Sequence, residues 1–230
     1  MRDPVIRQSI RAGAFARATG RADVVNRAAR KQGNRRPLVR RDLPVDTETL
    51  ARYLVGKQVV RELPEGMVSG RIVETEAYVI GDEAGHGFRG MTPRNRALFL
   101  QRGHAYVYLA YGVSWMLNVS SETAGTGAGV LIRALEPLVG VPIMEHNRGT
   151  TCIRDLARGP GRLAQALRID RALDGFDLCR KGSLWLAPGG DIEAREIGQS
   201  IRIGITRDVE RPLRFFLRGS PFASGPRSGI

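Results

Sequence analysis

Two acids stand two residues apart in Arg71-Ile72-Val73-Glu74-Thr75-Glu76-Ala77-Tyr78, a run dominated by strand-forming residues. A second run, Tyr106-Val107-Tyr108-Leu109, is separated from Trp115-Met116-Leu117-Asn118-Val119 only by a short stretch centred on Tyr111-Gly112-Val113. Side chains alternate across a strand, so Glu74, Glu76 and Tyr78 are expected on one face, and Tyr106 and Tyr108 on another. Runs this close can pair only as an antiparallel hairpin, because a parallel pair needs a crossover of a dozen or more residues. Tyr-Gly is not a favoured two-residue turn. Tyr111 sits at the tip, where it cannot reach the core that Tyr106 and Tyr108 face.

The rest of the chain alternates irregularly. A helix is expected from Asp46, a capping residue type, with Leu50, Ala51, Leu54 and Val55 on one face and Gly56 as its stop. Gln58–Val60 and Arg71–Tyr78 read as strands around the turn Pro64-Glu65-Gly66. Thr92-Pro93 signals a helix carrying Arg94, Asn95 and Arg96 in its first turn and ending before Gly103. Val130–Leu135 is a strand with Arg133 inside it, and Pro160-Gly161 opens a helix with Leu163, Ala166 and Leu167 inward. Leu184–Leu186, Ile201–Ile205 and Leu213–Leu217 read as late strands. Without regular βαβ alternation, the expectation is one α+β domain with a largely antiparallel sheet.

The net charge of +13 is unevenly placed. Residues 1–41 hold twelve Lys/Arg against two acids, a net of +10, which leaves +3 for everything after them. Low hydrophobicity with high like charge predicts a disordered tail over 1–41. Such a tail could be an electrostatic arm on nucleic-acid phosphates, a targeting peptide, or the product of an upstream start codon. No apolar run approaches the roughly 18 residues needed to cross a bilayer. Cys152 and Cys179 form no paired spacing, so neither a disulfide framework nor a structural zinc site is expected, and a reducing intracellular compartment fits.

Taken alone, an acid pair on a strand face is either solvated surface or a poised general base, and the spacing does not choose between Glu74 and Glu76. Arg133 inside an apolar run needs a carboxylate partner, structural or functional. His86, His104 and His146 lack metal-ligand spacing. The tyrosines could be cross-strand packing, but an exposed tip aromatic suggests stacking or wedging.

These residues fall in ordered blocks: RIVETEAY at 71–78, TPRNR at 92–96, YVYLAYG at 106–112, MLNVSS at 116–121, VLIRALEPL at 130–138, GPGRLAQAL at 159–167 and PLRFFLRGSP at 212–221. In combination they resemble the alkyladenine (3-methyladenine) DNA glycosylase family over about Leu43 to Ser224. The resemblance implies a single mixed domain over 42–224, with a curved sheet, surrounding helices, a protruding hairpin and a short C-terminal tail at 225–230. It implies Glu76 as the base for the attacking water, held with Arg133 and the backbone carbonyl of Ile203. Tyr78, His86 and Tyr108 would enclose a flipped base, Asn118 would disfavour normal guanine, and Tyr111 would fill the gap in the duplex. Thr92, Arg94, Asn95, Arg96, Arg162, Arg218 and Ser220 are candidates for the DNA backbone. Glu74 matches no assigned role.

The implied activity is base excision from duplex DNA holding damaged purines (3-methyladenine, 7-methylguanine, hypoxanthine and ethenoadenine), by a monomer without cofactor, metal or membrane. The expected compartment is the cytoplasm, on the nucleoid, in a bacterium, or the nucleus or mitochondrion in a eukaryote. Lys31, Lys57 and Lys181 all lie outside the matched site motifs, which argues for hydrolysis without strand cleavage. The chain departs from the family pattern in a shorter loop before His86 and in the small Val113 and Ser114 after the tip. A non-catalytic nucleic-acid-binding protein explains the basic tail and the tyrosines but gives no reason for Glu76 with Arg133. A small-molecule hydrolase explains the acids but not the tip tyrosine.

Overall fold

The computed structural model describes residues 35–190 and 192–225. The proposed disordered arm lies outside them as far as residue 34, as do residues 226–230 of the C-terminal tail. The last seven residues of the expected tail are nevertheless ordered. Residues 35–41 are built in against the strand at Leu184–Ala187: Leu38 is buried and its N–H donates to Leu186 O at 2.8 Å, while Trp185 Nε1 donates to Arg35 O at 2.9 Å. An indole N–H and a leucine that find partners there anchor the chain ahead of the first helix.

That helix, α1 (Thr47–Leu54), starts where expected. Asp46 Oδ1 accepts from the Thr49 N–H at 2.8 Å and from the Thr49 hydroxyl at 2.6 Å, a cap worth about 1 kcal/mol. Leu50, Ala51 and Leu54 are fully buried on its inner face, and Gly56 follows with φ +90°.

Among the described residues the strands are β1 (Gln58–Leu63), β2 (Gly66–Tyr78), β3 (Ala105–Ala110), β4 (Ser114–Ser120), β5 (Gly129–Val139), β6 (Leu184–Ala187), β7 (Ile197–Ser200) and β8 (Arg214–Leu217). They form one curled antiparallel sheet in the order β3-β4-β5-β2-β1-β6, with β8 joining β2 to β7. The axis is β2, 13 residues long. Its first half pairs with β1 and Glu74–Glu76 pair with β8, while β5 runs along its other edge. The α+β reading and the antiparallel sheet hold.

Alternation in β2 separates core from site. Thr75 points toward α1, where its Oγ1 donates to Ala51 O at 2.9 Å, and Glu74 and Glu76 point the other way, fully buried. The β2–β5 register slips three times, and the two slips around Glu74 leave Val73 without a partner on one strand and Arg133 without one on the other. A bulge re-aims a side chain; here it brings Arg133 onto the face of the two glutamates.

Two elements differ from expectation. No α-helix follows Thr92-Pro93, only a 3₁₀ turn at Arg96–Phe99. The Asn95 side chain turns back to accept from the Thr92 N–H at 2.6 Å and hydroxyl at 2.9 Å, and donates to His86 O and Gly90 O at 2.8 and 3.1 Å. A side chain that satisfies loop backbone groups offers the chain an alternative to the helix. Residues 201–205 form no strand either; β7 ends at Ser200. Arg202 within that stretch is buried, and Gly204 takes φ +77°, so the segment runs as a loop over β2. The sequence pattern also leaves unassigned a helix that is present, α2 (Val141–Arg148), which packs with α3 (Pro160–Ala166). No helix among the described residues is long and apolar enough to cross a membrane.

Candidate active site

Arg133 lies between the two strand acids. Its Nε donates to Glu74 Oε1 at 2.9 Å and its Nη1 reaches Glu76 Oε2 at 3.1 Å. Glu76 Oε2 also accepts from the Tyr78 hydroxyl at 3.1 Å, and Glu76 Oε1 accepts from the Ile203 N–H at 2.7 Å. Burial pushes the Glu76 carboxyl above its ordinary value, with Glu74 adding to the effect, while Arg133, the Ile203 N–H and Tyr78 oppose it. The result is a carboxylate with partners on both oxygens that still binds a proton more readily than a solvated one. Ile203 therefore enters through its N–H, a contact distinct from the carbonyl role the resemblance implies.

Tyr78, bonded to Glu76 through its hydroxyl, lines a cavity of about 280 Å³ together with His86, Tyr106, Tyr108, Asn118 and Tyr111 among others. Its ring is backed by Arg202, whose Cζ lies 4.7 Å from the ring centroid. Arg202 is itself fixed by a buried ion pair with Asp82 and by donation to Ala77 O at 3.0 Å. A guanidinium is costly inside a protein unless paired in this way. The opposite wall is built by β3, where the Tyr106 and Tyr108 rings lie 5.3 Å apart and near parallel.

His86 rests its ring 4.4 Å from that of Tyr108 and shares a 2.8 Å hydrogen bond between Nδ1 and the Tyr106 hydroxyl. The residue is exposed at the rim, yet its ring is packed, and desolvation with the nearby Arg94 charge lowers its pKa. A neutral imidazole is the consequence at pH 7. Asn118 lies on β4 beside Tyr106, to whose carbonyl its Nδ2 donates at 3.2 Å.

Tyr111 stands at the rim, 89% exposed, with φ +50° followed by Gly112 at φ +71°. The hairpin is closed by three residues between the Ala110–Ser114 pair, which explains why Tyr-Gly need not serve as a two-residue turn. A tyrosine in the left-handed region costs about 1–2 kcal/mol, and this one, 89% exposed, gains no packing in return.

The structure thus brings together Glu76, Tyr78, His86, Tyr108, Asn118, Arg133, Ile203 and Tyr111. Of the backbone candidates, Thr92 and Arg94 line an adjoining cavity of about 450 Å³, and Arg96 is exposed. Asn95 lines the same cavity but is buried, and its amide donates to His86 O and Gly90 O within the loop. Arg162 pairs with Asp155 at 3.0 Å on α3, whose Gly161 abuts Ser114 at the hairpin base. Arg218 is exposed and Ser220 half-buried beyond β8, and neither lines the cavity. Arg202, Arg214 and Ser224 are site residues that the sequence reading missed. Arg202 carried the same signal as Arg133, an arginine inside an apolar run. Among the described residues no cluster of His, Cys, Asp or Glu could hold a metal ion.

The sequence pattern of the methylpurine-DNA glycosylase family (MPG) matches residues 41–221, most of the chain and all the elements that build this pocket. The chain belongs to that family. A relative in Mesorhizobium japonicum is 71% identical over 91% of this chain and 98% of its own length. One in Paraburkholderia phytofirmans is 53% identical over 83% and 89%, and one in Methanoculleus marisnigri is 46% identical over 78% and 94%. Each bears the name "Putative 3-methyladenine DNA glycosylase". The chain is accordingly a DNA glycosylase, a DNA-repair enzyme whose substrate is DNA.

Proposed function

We propose that the protein excises alkylated and deaminated purines, with 3-methyladenine and 7-methylguanine as representative substrates. It acts as a monomer on duplex DNA, by hydrolysis with a water activated by Glu76. The observation that carries this reading is the Glu76 carboxylate, buried directly behind the aromatic wall of the pocket and held on both oxygens. A base within a duplex hides its glycosidic bond, so the nucleotide must be extruded, at a cost of a few kcal/mol that is least for damaged bases. Tyr111 would replace the extruded base in the stack.

A purine methylated at N3 or N7 is cationic. It would favour the ring faces of Tyr108 and Tyr78, and a neutral His86 would not repel it. In the reaction the C1′–N bond breaks with its electron pair leaving on the base, which becomes neutral. The water oxygen bonds to C1′, and its proton passes to Glu76. The Glu76 charge also faces the positive charge that develops on the sugar, the arrangement that glycoside hydrolysis requires. The Ile203 carbonyl is proposed as a further contact to that water. Lys57 and Lys181 do not line the cavity, which favours hydrolysis over a lysine-bound intermediate. Bacterial relatives suggest action on the nucleoid, in the cytoplasm.

The test is product analysis. Incubation with duplex DNA carrying 3-methyladenine or 7-methylguanine is expected to release the free base and leave an abasic strand that breaks only after alkali. Borohydride is expected to trap no covalent adduct. Tight lesion binding without release would favour a non-catalytic binder, and strand scission without alkali would contradict the monofunctional reading.

A further inference from the structure

Glu74 has no part in the reaction above, yet its carboxylate is fully buried and fully occupied. Oε1 accepts from Arg133 Nε at 2.9 Å, Arg214 Nε at 2.7 Å and the Ser224 hydroxyl at 2.8 Å, and Oε2 accepts from the Ser224 N–H. Arg214, on β8, also donates to Ser200 Oγ at 2.9 Å and Ser224 O at 2.6 Å. Arg133 extends Nη2 to Ser224 Oγ at 3.3 Å. The cluster holds two carboxylates and two guanidinium groups, so its formal charge is balanced.

We infer that Glu74 is a positioning residue that competes with Glu76 for Arg133, and that Arg214 and Ser224 hold it in that position. The inference rests on the reading of Glu76 as the base. A guanidinium has a planar fork of donors and pairs with a carboxylate through two parallel bonds where it can. In this site the Nε edge of Arg133 is taken by Glu74, which leaves a single Nη1 contact for Glu76. Without that competition the arginine could turn both donors on Glu76 and hold it as a weak base. A general base works best when its pKa lies near the operating pH.

Other groups face Glu76 as well: Tyr78 from its own strand, the Ile203 N–H from the 201–205 loop and Tyr108 from β3. None of these is shared with Glu74. The charge of Glu74 acts in the same direction as its geometry, since it raises the Glu76 carboxyl.

The experiment is single-turnover excision of 7-methylguanine, a permanently cationic base, as a function of pH. Glu74→Gln is expected to move the acid limb of the profile down by about one pH unit. Its plateau should fall by about three- to tenfold, with affinity for an abasic-site duplex unchanged. A brace of purely structural kind would lower the rate with the limb in place, or lower rate and affinity together. In Glu74→Gln an amide placed to keep the three Oε1 contacts turns its NH₂ toward the Ser224 N–H, so this variant could fail to fold. Ser224→Ala keeps all four charges and removes only the hydroxyl between Glu74 and Arg133. Its plateau is expected to drop several-fold with affinity unchanged and a lower melting temperature, since Arg133 Nη2 loses that buried acceptor.

A folded Glu74→Gln with its limb in place overturns the inference. Should that variant not fold, Ser224→Ala decides, and an unchanged rate overturns it. Glu76→Gln run in parallel separates the two levels, because excision by that variant within tenfold of the wild-type rate refutes the assignment of the base and not the role of Glu74.

Discussion

Glu76→Gln is expected to lower single-turnover release of a cationic methylpurine by about 10²–10⁴-fold, the usual contribution of a positioned general base. Binding of the lesion duplex should be retained, because Glu76 lies behind Tyr78 and not among the residues that line the cavity. The substitution is close to isosteric but not silent for the fold. The new amide NH₂ must face either the Ile203 N–H or Arg133 Nη1, both of them donors to the present carboxylate. One such conflict costs about 1–3 kcal/mol, so a lower melting temperature is expected alongside intact binding. Gel shift and stopped assay on the same preparation read the two effects apart. Loss of binding together with excision would mean that Glu76 shapes the pocket and does no chemistry.

Tyr111→Ala carries the second large effect, on affinity. The side chain is 89% exposed and its removal takes nothing from the core, so the melting temperature should stay where it is. Stacking of an aromatic side chain on a base is worth about 1–3 kcal/mol, which converts to a loss of about fivefold to 150-fold in binding an abasic-site duplex. Tyr111→Phe should recover most of it. Equal affinities across the three proteins, measured at one salt concentration, would contradict the wedge.

Much of this site can be read from short-range pattern. Alternation in β2 puts Glu74, Glu76 and Tyr78 on one face, and the hairpin sets Tyr111 at a tip. What the pattern misses is decided by partners distant in the chain. Glu74 finds Arg214 and Ser224 140 and 150 residues away, so nothing near it in sequence hints at its occupation. Ile201–Ile205 has the composition of a strand, but the Arg202 ion pair with Asp82 and the left-handed Gly204 turn it into the loop that delivers the Ile203 N–H.

Thr92-Pro93 is a sound helix signal overruled by one side chain, because Asn95 satisfies four loop groups that a helix would leave to water. The helix at 141–148 goes unread for the opposite reason. Gly140 and Pro142 resemble breakers, while in place they are its left-handed entry and its first-turn proline. The 1–41 boundary fails because charge density hides Leu38, which is buried beside β6.

The central claim is that a buried carboxylate with a raised pKa takes the proton from water. Single-turnover excision of 7-methylguanine across pH tests it most directly, since that base is already charged and its own protonation does not intervene. Glu76 must be ionised to act, so the rate is present above its pKa and lost as pH falls through it. The expected result is an acid limb centred above 4.5, the ordinary value for such a carboxyl, and abolished in Glu76→Gln. A wild-type rate that stays flat down through 4.5 would contradict it.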